Sequence, residues 1–261
     1  MTQTFAFCRL SAIPLRAEPS DRSEMISQLL YGDHVEILEK EEKWCRVRMG
    51  YDDYEGWLDP KQLEEISGTA YDAFAKATDL LGLQPCHQAR HEETGESLHL
   101  MPGSTLPGYQ HPFSRAGRMT LRIREGVVKQ RPELFDQEVE AVSRFYLNAP
   151  YLWGGKTPFG IDCSGLTQIV YKQFGIRLQR DASQQALQGE LVAFLQEART
   201  GDLAFFDNDE GRIVHVGLMI GNAQVIHASG RVRIDLIDDQ GIFNRELNRY
   251  THQLRVIKRF V

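Results

Sequence analysis

The sequence predicts an α+β protein in which helices packed on an antiparallel sheet follow one or more small β-barrel modules. Three observations carry this prediction. Residues 5–63 read as short alternating runs separated by turns, the pattern of a small barrel. From residue 133 two amphipathic helical stripes come before any sustained strand pattern. A succession of strands then fills the chain from residue 201 to its end. Helices first and antiparallel strands after them point to an α+β domain.

In the first stretch, CRLSAIPLRAEP alternates and is broken at Pro14 and Pro19. Gly32-Asp33 separates two apolar runs, with Val35, Ile37 and Leu38 opening the second. Trp44, Arg46 and Arg48 alternate with Cys45, Val47 and Met49, and Gly56-Trp57-Leu58 reads as a last short strand. Residues 69–84 predict a helix, with Tyr71, Phe74, Leu80 and Leu81 as its stripe and Gly82 as its stop. Met119, Leu121 and Ile123 alternate as a strand. The expected division is 1–65 as one barrel, 66–130 as a second small and possibly barrel-like module, and 131–261 as the α+β domain.

In the last division, Val139, Val142, Phe145 and Tyr146 mark a helix over residues 133–148, preceded by Pro132. Leu166, Ile169, Val170 and Phe174 mark a second, with Gly175 placed for a left-handed cap. Asp181 is placed to cap a third, through Ser183 to Leu191. The strands are GDLAFFD, VHVGLMIGN, AQVIHAS, RVRIDLI and LRVIKRFV.

Composition narrows the function. Hydrophobic residues make up 42% and charged residues 25% of 261, and the net charge is -6. A nucleic-acid binder needs a basic patch, and no dense Lys/Arg run is present. No apolar run reaches the length of a membrane span. Four cysteines in a chain this long are not a disulfide framework. With no basic, apolar leader pattern at the start, a reducing, cytoplasmic setting is expected; a precursor trimmed of its leader would read the same way.

One stretch concentrates chemistry. Residues 151–175 hold Cys163 between Asp162 and the pair Ser164-Gly165, after a loop with Gly154, Gly155, Pro158 and Gly160. This places a cysteine at the first turn of a helix, where unpaired N–H groups and the positive end of the dipole favour a thiolate. Such a nucleophile needs a base. His215 and His227 lie on downstream strands. If those strands turn at Gly221-Asn222, His215 faces Ala228 and His227 faces Val216, and one bulge would bring the two rings to the same face. Taken singly, a buried cysteine is commonly an inert hydrophobe, and a histidine in an apolar strand commonly a satisfied core residue. Cys86, His87, His91 and His99 do not make a metal site: His87 and His91 have helical spacing, but a matching second pair is missing.

Six elements in order resemble the NlpC-type cell-wall peptidases, which are papain-like cysteine peptidases. They are Tyr151-Leu152-Trp153-Gly154-Gly155, Asp162-Cys163-Ser164-Gly165-Leu166, Arg180-Asp181-Ala182-Ser183-Gln184-Gln185, Gly201-Asp202-Leu203, His215-Val216-Gly217 and Ile226-His227-Ala228. The N-terminal LRAEPS, LLYGDHVEILEKEEKWCRVRM and YEGWL resemble a bacterial SH3-like domain. The resemblance implies a papain-like domain with Cys163 as nucleophile, His215 as general base and His227 as the orienting third residue. It implies Tyr151 near the oxyanion or substrate, the Cys163 N–H in the oxyanion site, and Asp162, Ser164 and Ser183 lining the substrate cleft. Asp162 is expected to point away from the thiol and meet a substrate amine.

The whole arrangement resembles cytoplasmic γ-D-glutamyl-L-diamino acid endopeptidases that recycle murein peptides carrying a free N-terminal L-Ala. On that resemblance Glu55, in the acidic loop YDDYEGW, is nominated for amine recognition, a solvated acidic loop being the other reading. The expected partner is a murein peptide, with no cofactor, metal, nucleic acid or membrane, and the expected state is a monomer. Two other readings stay open: a non-catalytic binder of cell-wall fragments, and an amidase or acyltransferase on the same fold.

Overall fold

A computed structural model describes residues 3–221 and 223–261. The chain forms two compact units, Met1–Gln130 and Arg131–Val261. No helix among the described residues is long and apolar enough to cross a membrane.

The first unit opens with an antiparallel seven-stranded sheet. Its order is Met25–Leu30, Ala12–Arg16, Glu55–Leu58, Cys45–Met49, His34–Lys40, Thr4–Cys8 and Leu63–Ile66. The alternation read from sequence is the inside–outside period of strands: Cys45, Val47 and Met49 face the core with Ile13, Leu15, Val35 and Leu58. Cys8 and Cys45 are therefore packing residues, and burial raises both thiols above their ordinary range.

A second sheet follows, in the order Ser97–Leu100, His87–His91, Met119–Arg122 and Phe113–Ala116. Its core includes Leu100, Leu106 and Leu121 together with Phe7, Tyr31 and Phe74 from earlier in the chain. Two expectations change here. The predicted helix over 69–84 stops at Ala75, and Asp79–Leu81 is a strand paired with Val127–Lys129. Leu80 and Leu81 thus owe their burial to a ladder, not to a helical stripe. His87 and His91 also lie on a strand, so their four-residue spacing is not a helical one.

The second unit places its helices first: Phe135–Arg144, Cys163–Lys172 and the short Ala182–Gln185. The last is four residues long, shorter than the predicted span to Leu191, because Glu190–Val192 leaves it to pair with the final strand. The sheet runs Glu190–Val192, Arg249–Arg259, Leu203–Asp207, Ile213–Met219, Gln224–Ser229, Arg231–Asp238 and Gly241–Asn244. Gly241–Asn244 pairs back onto Arg249–Arg259, so six of the strands close on one another and protect the edges they would otherwise expose. Every residue of the Cys163–Lys172 helix is buried, and it packs against the strand that carries His215.

Candidate active site

Asp162 starts the helix that opens at Cys163. Its backbone is extended, and its side chain accepts the Gly165 N–H at 2.6 Å, the geometry of an N-cap. The same carboxylate accepts the Gly154 N–H at 2.7 Å and meets the guanidinium of Arg180 at 3.1 and 2.6 Å. Ser164 Oγ donates to it at 3.3 Å and accepts from Arg180 at 2.9 Å. All three side chains are buried.

Asp162 and Ser164, expected to line the substrate cleft, hold a structural role as well. The Asp162 charge is taken up by an internal cation and two backbone amides, and the Ser164 hydroxyl joins the same network. Their work is to fix the loop at Gly154, the helix start and Arg180 as one block. The N-cap preference of aspartate was a sequence signal for this role.

Cys163, the first helical residue, is 6% exposed. Burial and the Asp162 charge push its thiol up to about 12, while the backbone N–H groups of Val216 and Ser164 and the Arg180 charge act the other way. The thiol therefore rests neutral, against the N–H of the residue that follows His215. In the first turn, the Gly165 N–H goes to the Asp162 side chain and the Leu166 N–H to the Asp162 carbonyl.

His215 and His227 share a face. The expected register is off by one residue: Leu218 faces Ile226 and Met219 faces Val225. Ala223, with φ 53, sits in the turn between them; Asn222, one of the two residues of the predicted Gly221-Asn222 turn, lies outside the described residues. With this register positions 215 and 227 have the same inside–outside parity, and no bulge between their two strands is needed. His215 Nε2 lies 2.8 Å from His227 Nδ1, and His227 Nε2 lies 3.1 Å from Asp235 Oδ2.

The proton positions along this row follow from its end. Burial opposes ionisation of Asp235, but hydrogen bonds from His227 and Arg233 hold it below the usual carboxylate range, so it only accepts. His227 must donate to it from Nε2, and His227 Nδ1 then accepts from His215 Nε2–H. The lone pair of His215 is left on Nδ1. Burial, reinforced by the charges of His227 and His252, keeps His215 well below its ordinary pKa, and burial outweighs Asp235 at His227. Both rings are neutral, as a resting base requires.

Two residues of this site escape the sequence reading. Asp235 sits diagonally from His227, because Gly230 turns the chain so that His227 faces Arg233 and Val225 faces Asp235. Pairing the strands about Gly230 would have found it. His252 stacks on His215, ring centroids 4.2 Å apart and planes at 26°. The sequence reading began the last strand at Leu254, whereas it begins at Arg249.

The ring nitrogens of His215, His227 and His252 lie within 4.8 Å of one another. An imidazole binds a metal in its own plane along a nitrogen lone pair. The near-parallel rings of His215 and His252 do not converge on one ion, and both nitrogens of His227 are engaged. The cluster is a stack on a hydrogen-bonded row.

Tyr151 is half-buried, and burial, then Cys163 and Asp162, push its hydroxyl up to about 12, which keeps it a donor. Ser183 is exposed on the Ala182–Gln185 helix, beside the capping box of Asp181 and Gln184. Glu55 belongs to the first unit, where Arg46 and Arg48 both pair with it at 2.7 Å. Its charge is thus paired within its own unit.

Residues 148–251 match the NlpC/P60 family, and residues 15–63 match the bacterial dipeptidyl-peptidase Sh3 domain. Among characterised relatives, the γ-D-glutamyl-L-lysine dipeptidyl-peptidase of Bacillus cereus is 27% identical over 80% of this chain and 68% of its own length. The protein of that name from Bacillus subtilis is 28% identical over 85% and 78%. A solved NlpC/P60 family protein from Bacillus cereus shares the fold, with a TM-score of 0.79 over 98% of this chain and 99% of that one at 22% identity. Cys163, His215 and His227 all fall inside the first matched segment, and this chain carries an NlpC/P60 domain preceded by a bacterial SH3-like domain.

Proposed function

We propose that this protein is a cysteine endopeptidase that hydrolyses the γ-D-glutamyl-L-diamino acid bond of short murein peptides with a free N-terminal L-Ala, in the cytoplasm and as a monomer. The coarser statement, a peptidoglycan-related peptidase, rests on the NlpC/P60 match and on relatives named as peptidases. The observation that carries the cysteine mechanism is the directed row Asp235–His227–His215 ending in a bare Nδ1. Support for the bond class comes from the relatives' names and from a γ-DL-glutamyl hydrolase of Bacillus subtilis, 32% identical over 62% of this chain.

In this reading His215 Nδ1 takes the Cys163 proton as Sγ attacks the carbonyl carbon. The oxyanion is met by the Cys163 N–H and the Tyr151 hydroxyl, donors fixed before the charge develops. The imidazolium of His215 returns its proton to the leaving amine, and the C–N bond breaks to leave a thioester. Water, deprotonated by His215, then releases the acid and restores the thiol. His227 stays neutral and holds the ring of His215, as the third member of a triad does.

The test is incubation with free L-Ala-γ-D-Glu-diaminopimelate and with the same stem attached to glycan, followed by mass spectrometry. Cleavage of the free peptide alone is expected, abolished in Cys163→Ala. Cleavage that survives in Cys163→Ala overturns the mechanism. Cleavage of both substrates overturns the recycling role.

A further inference from the structure

The closed sheet of the second unit is regular except at three places. Val214 is an extra residue opposite Leu203–Asp207, because Phe206 faces His215 while Asp207 faces Ile213. Thr251 is extra opposite Gly241–Asn244, because Ile242 faces His252 and Phe243 faces Tyr250. Arg255 is extra on the other side of the last strand, because Phe205 faces Val256 and Phe206 faces Leu254. The first two flank His215 and His252, and the third lies three residues beyond His252 on the same strand. A bulge turns the side chains beside it away from regular alternation, and the first two act on the two stacked rings.

The His252 ring is held from several sides. Thr251 Oγ1 lies 2.9 Å from its Nδ1. The Phe206 and His227 rings pack edge-on against it, at 5.9 and 5.5 Å. Its carbonyl lies where a Cβ on Gly241 would come within 1.8 Å, and Gly241 has φ 137. The backbone at this point needs a glycine to let the last strand approach. His252 itself makes no hydrogen bond to Cys163, His215 or His227 among those of the described residues.

We infer that His252 is a positioning residue: its face, stacked on His215, fixes the plane of that ring so that Nε2 stays on His227 and Nδ1 stays open to Cys163. A hydrogen bond to His227 alone leaves the ring free to rotate about that bond. A flat group against one face removes the freedom and excludes water from that side.

The titratable rings against His215 are His227 from the neighbouring strand and His252 from the last strand, and the helix that opens at Cys163 packs on the same strand. Asp235 and Arg233 act through His227, the position across on Leu203–Asp207 is the apolar Phe206, and the Ala182–Gln185 helix, capped by Asp181, packs on the strand that carries His215. Replacing the stacked ring by a flexible aliphatic chain admits solvent to His215 and raises the pH at which it protonates.

The test compares His252→Phe, which keeps a flat face, with His252→Leu, which keeps bulk without one. The first readout is the pH profile of Cys163 alkylation by iodoacetamide, followed by mass spectrometry of the Cys163 peptide. This readout needs no peptide substrate, so it stands even if the peptidase reading, on which the kinetic readout rests, fails. The second is kcat and KM on the free tripeptide. For His252→Leu we expect the acid limb of alkylation to move to higher pH and kcat to fall about tenfold or more with KM little changed. His252→Phe should stay within about threefold of the native protein with its acid limb in place. Equal damage in both folded variants, or an unmoved acid limb in His252→Leu, overturns the inference. If His252→Leu does not fold, a displaced limb or a tenfold loss in His252→Phe does so alone.

Discussion

Arg180 meets the Asp162 carboxylate with both of its terminal nitrogens, at 3.1 and 2.6 Å, and both side chains are buried. A buried pair of this kind adds little over a well-packed apolar pair, but removing one partner strands a charge in the interior. Arg180→Met should therefore destabilise the protein by about 3–5 kcal/mol, read from urea unfolding. Arg180→Lys should recover part of this, since an ammonium lacks the fork that matches a carboxylate. A loss below about 1 kcal/mol in Arg180→Met would mean that water reaches the Asp162 carboxylate once its partner is gone.

Asp235 sets the direction of the histidine row without touching the thiol. In Asp235→Asn the side chain can turn its amide to His227 and reverse the row, leaving a proton on His215 Nδ1. The expected loss in kcat lies between about tenfold and the roughly 10⁴-fold seen where a carboxylate touches the base itself. KM and the unfolding midpoint should change little. Unchanged kcat in a folded variant would show that His227 alone fixes the tautomer.

Three neutral histidines make the fold sensitive to acid. Burial holds His215, His227 and His252 below 6.5, with His252 at about 4. Folded, they bind fewer protons than the unfolded chain does below pH 6.5, so stability is complete above that pH and falls as the pH drops towards 4. Each such group withdraws about 1.4 kcal/mol per pH unit within its window. The unfolding midpoint measured from pH 7 to 4 should decline steadily, and His252→Phe should flatten part of the slope. A flat profile over that range would contradict neutral buried rings.

Gly165 follows Ser164 at the point where the helix meets the loop. A Cβ there would come within 2.3 Å of the Gly155 carbonyl oxygen and 2.9 Å of Asp162 Oδ1. The first contact is with backbone and cannot swing aside. Gly165→Ala should cost about 1–3 kcal/mol and lower kcat by moving the Cys163 N–H relative to Tyr151. Full activity at native stability would mean that the loop yields.

Much of this site was legible because its signals are local. Cys163 at a helix start follows from the turn chemistry before it and the apolar stripe after it, and His215 and His227 follow from strand alternation. What was missed is non-local or reassigned. The Asp162–Arg180 pair escapes the sequence because its partners lie 18 residues apart and periodicity does not pair them. Leu80 and Leu81 fitted a helical stripe because a short apolar run satisfies both periods. His252 was lost because a bulged strand breaks alternation, and the break here falls at Thr251, beside the residue that matters. The arginine partners of Glu55 stay hidden because the sequence does not show Arg46 and Arg48 as its cross-strand neighbours.

The helix that begins at Cys163 has no solvent-facing side: all ten of its residues are buried. Helices of this kind do not fray separately, and their amides exchange with solvent only when the surrounding unit opens as a whole. The Cys163 thiol thus rides on a helix whose amides should exchange only slowly. Deuterium uptake along residues 166–172 becomes a direct gauge of that unit's global opening, and a molecule that bonds covalently to Cys163 gains a mount with no local opening of its own.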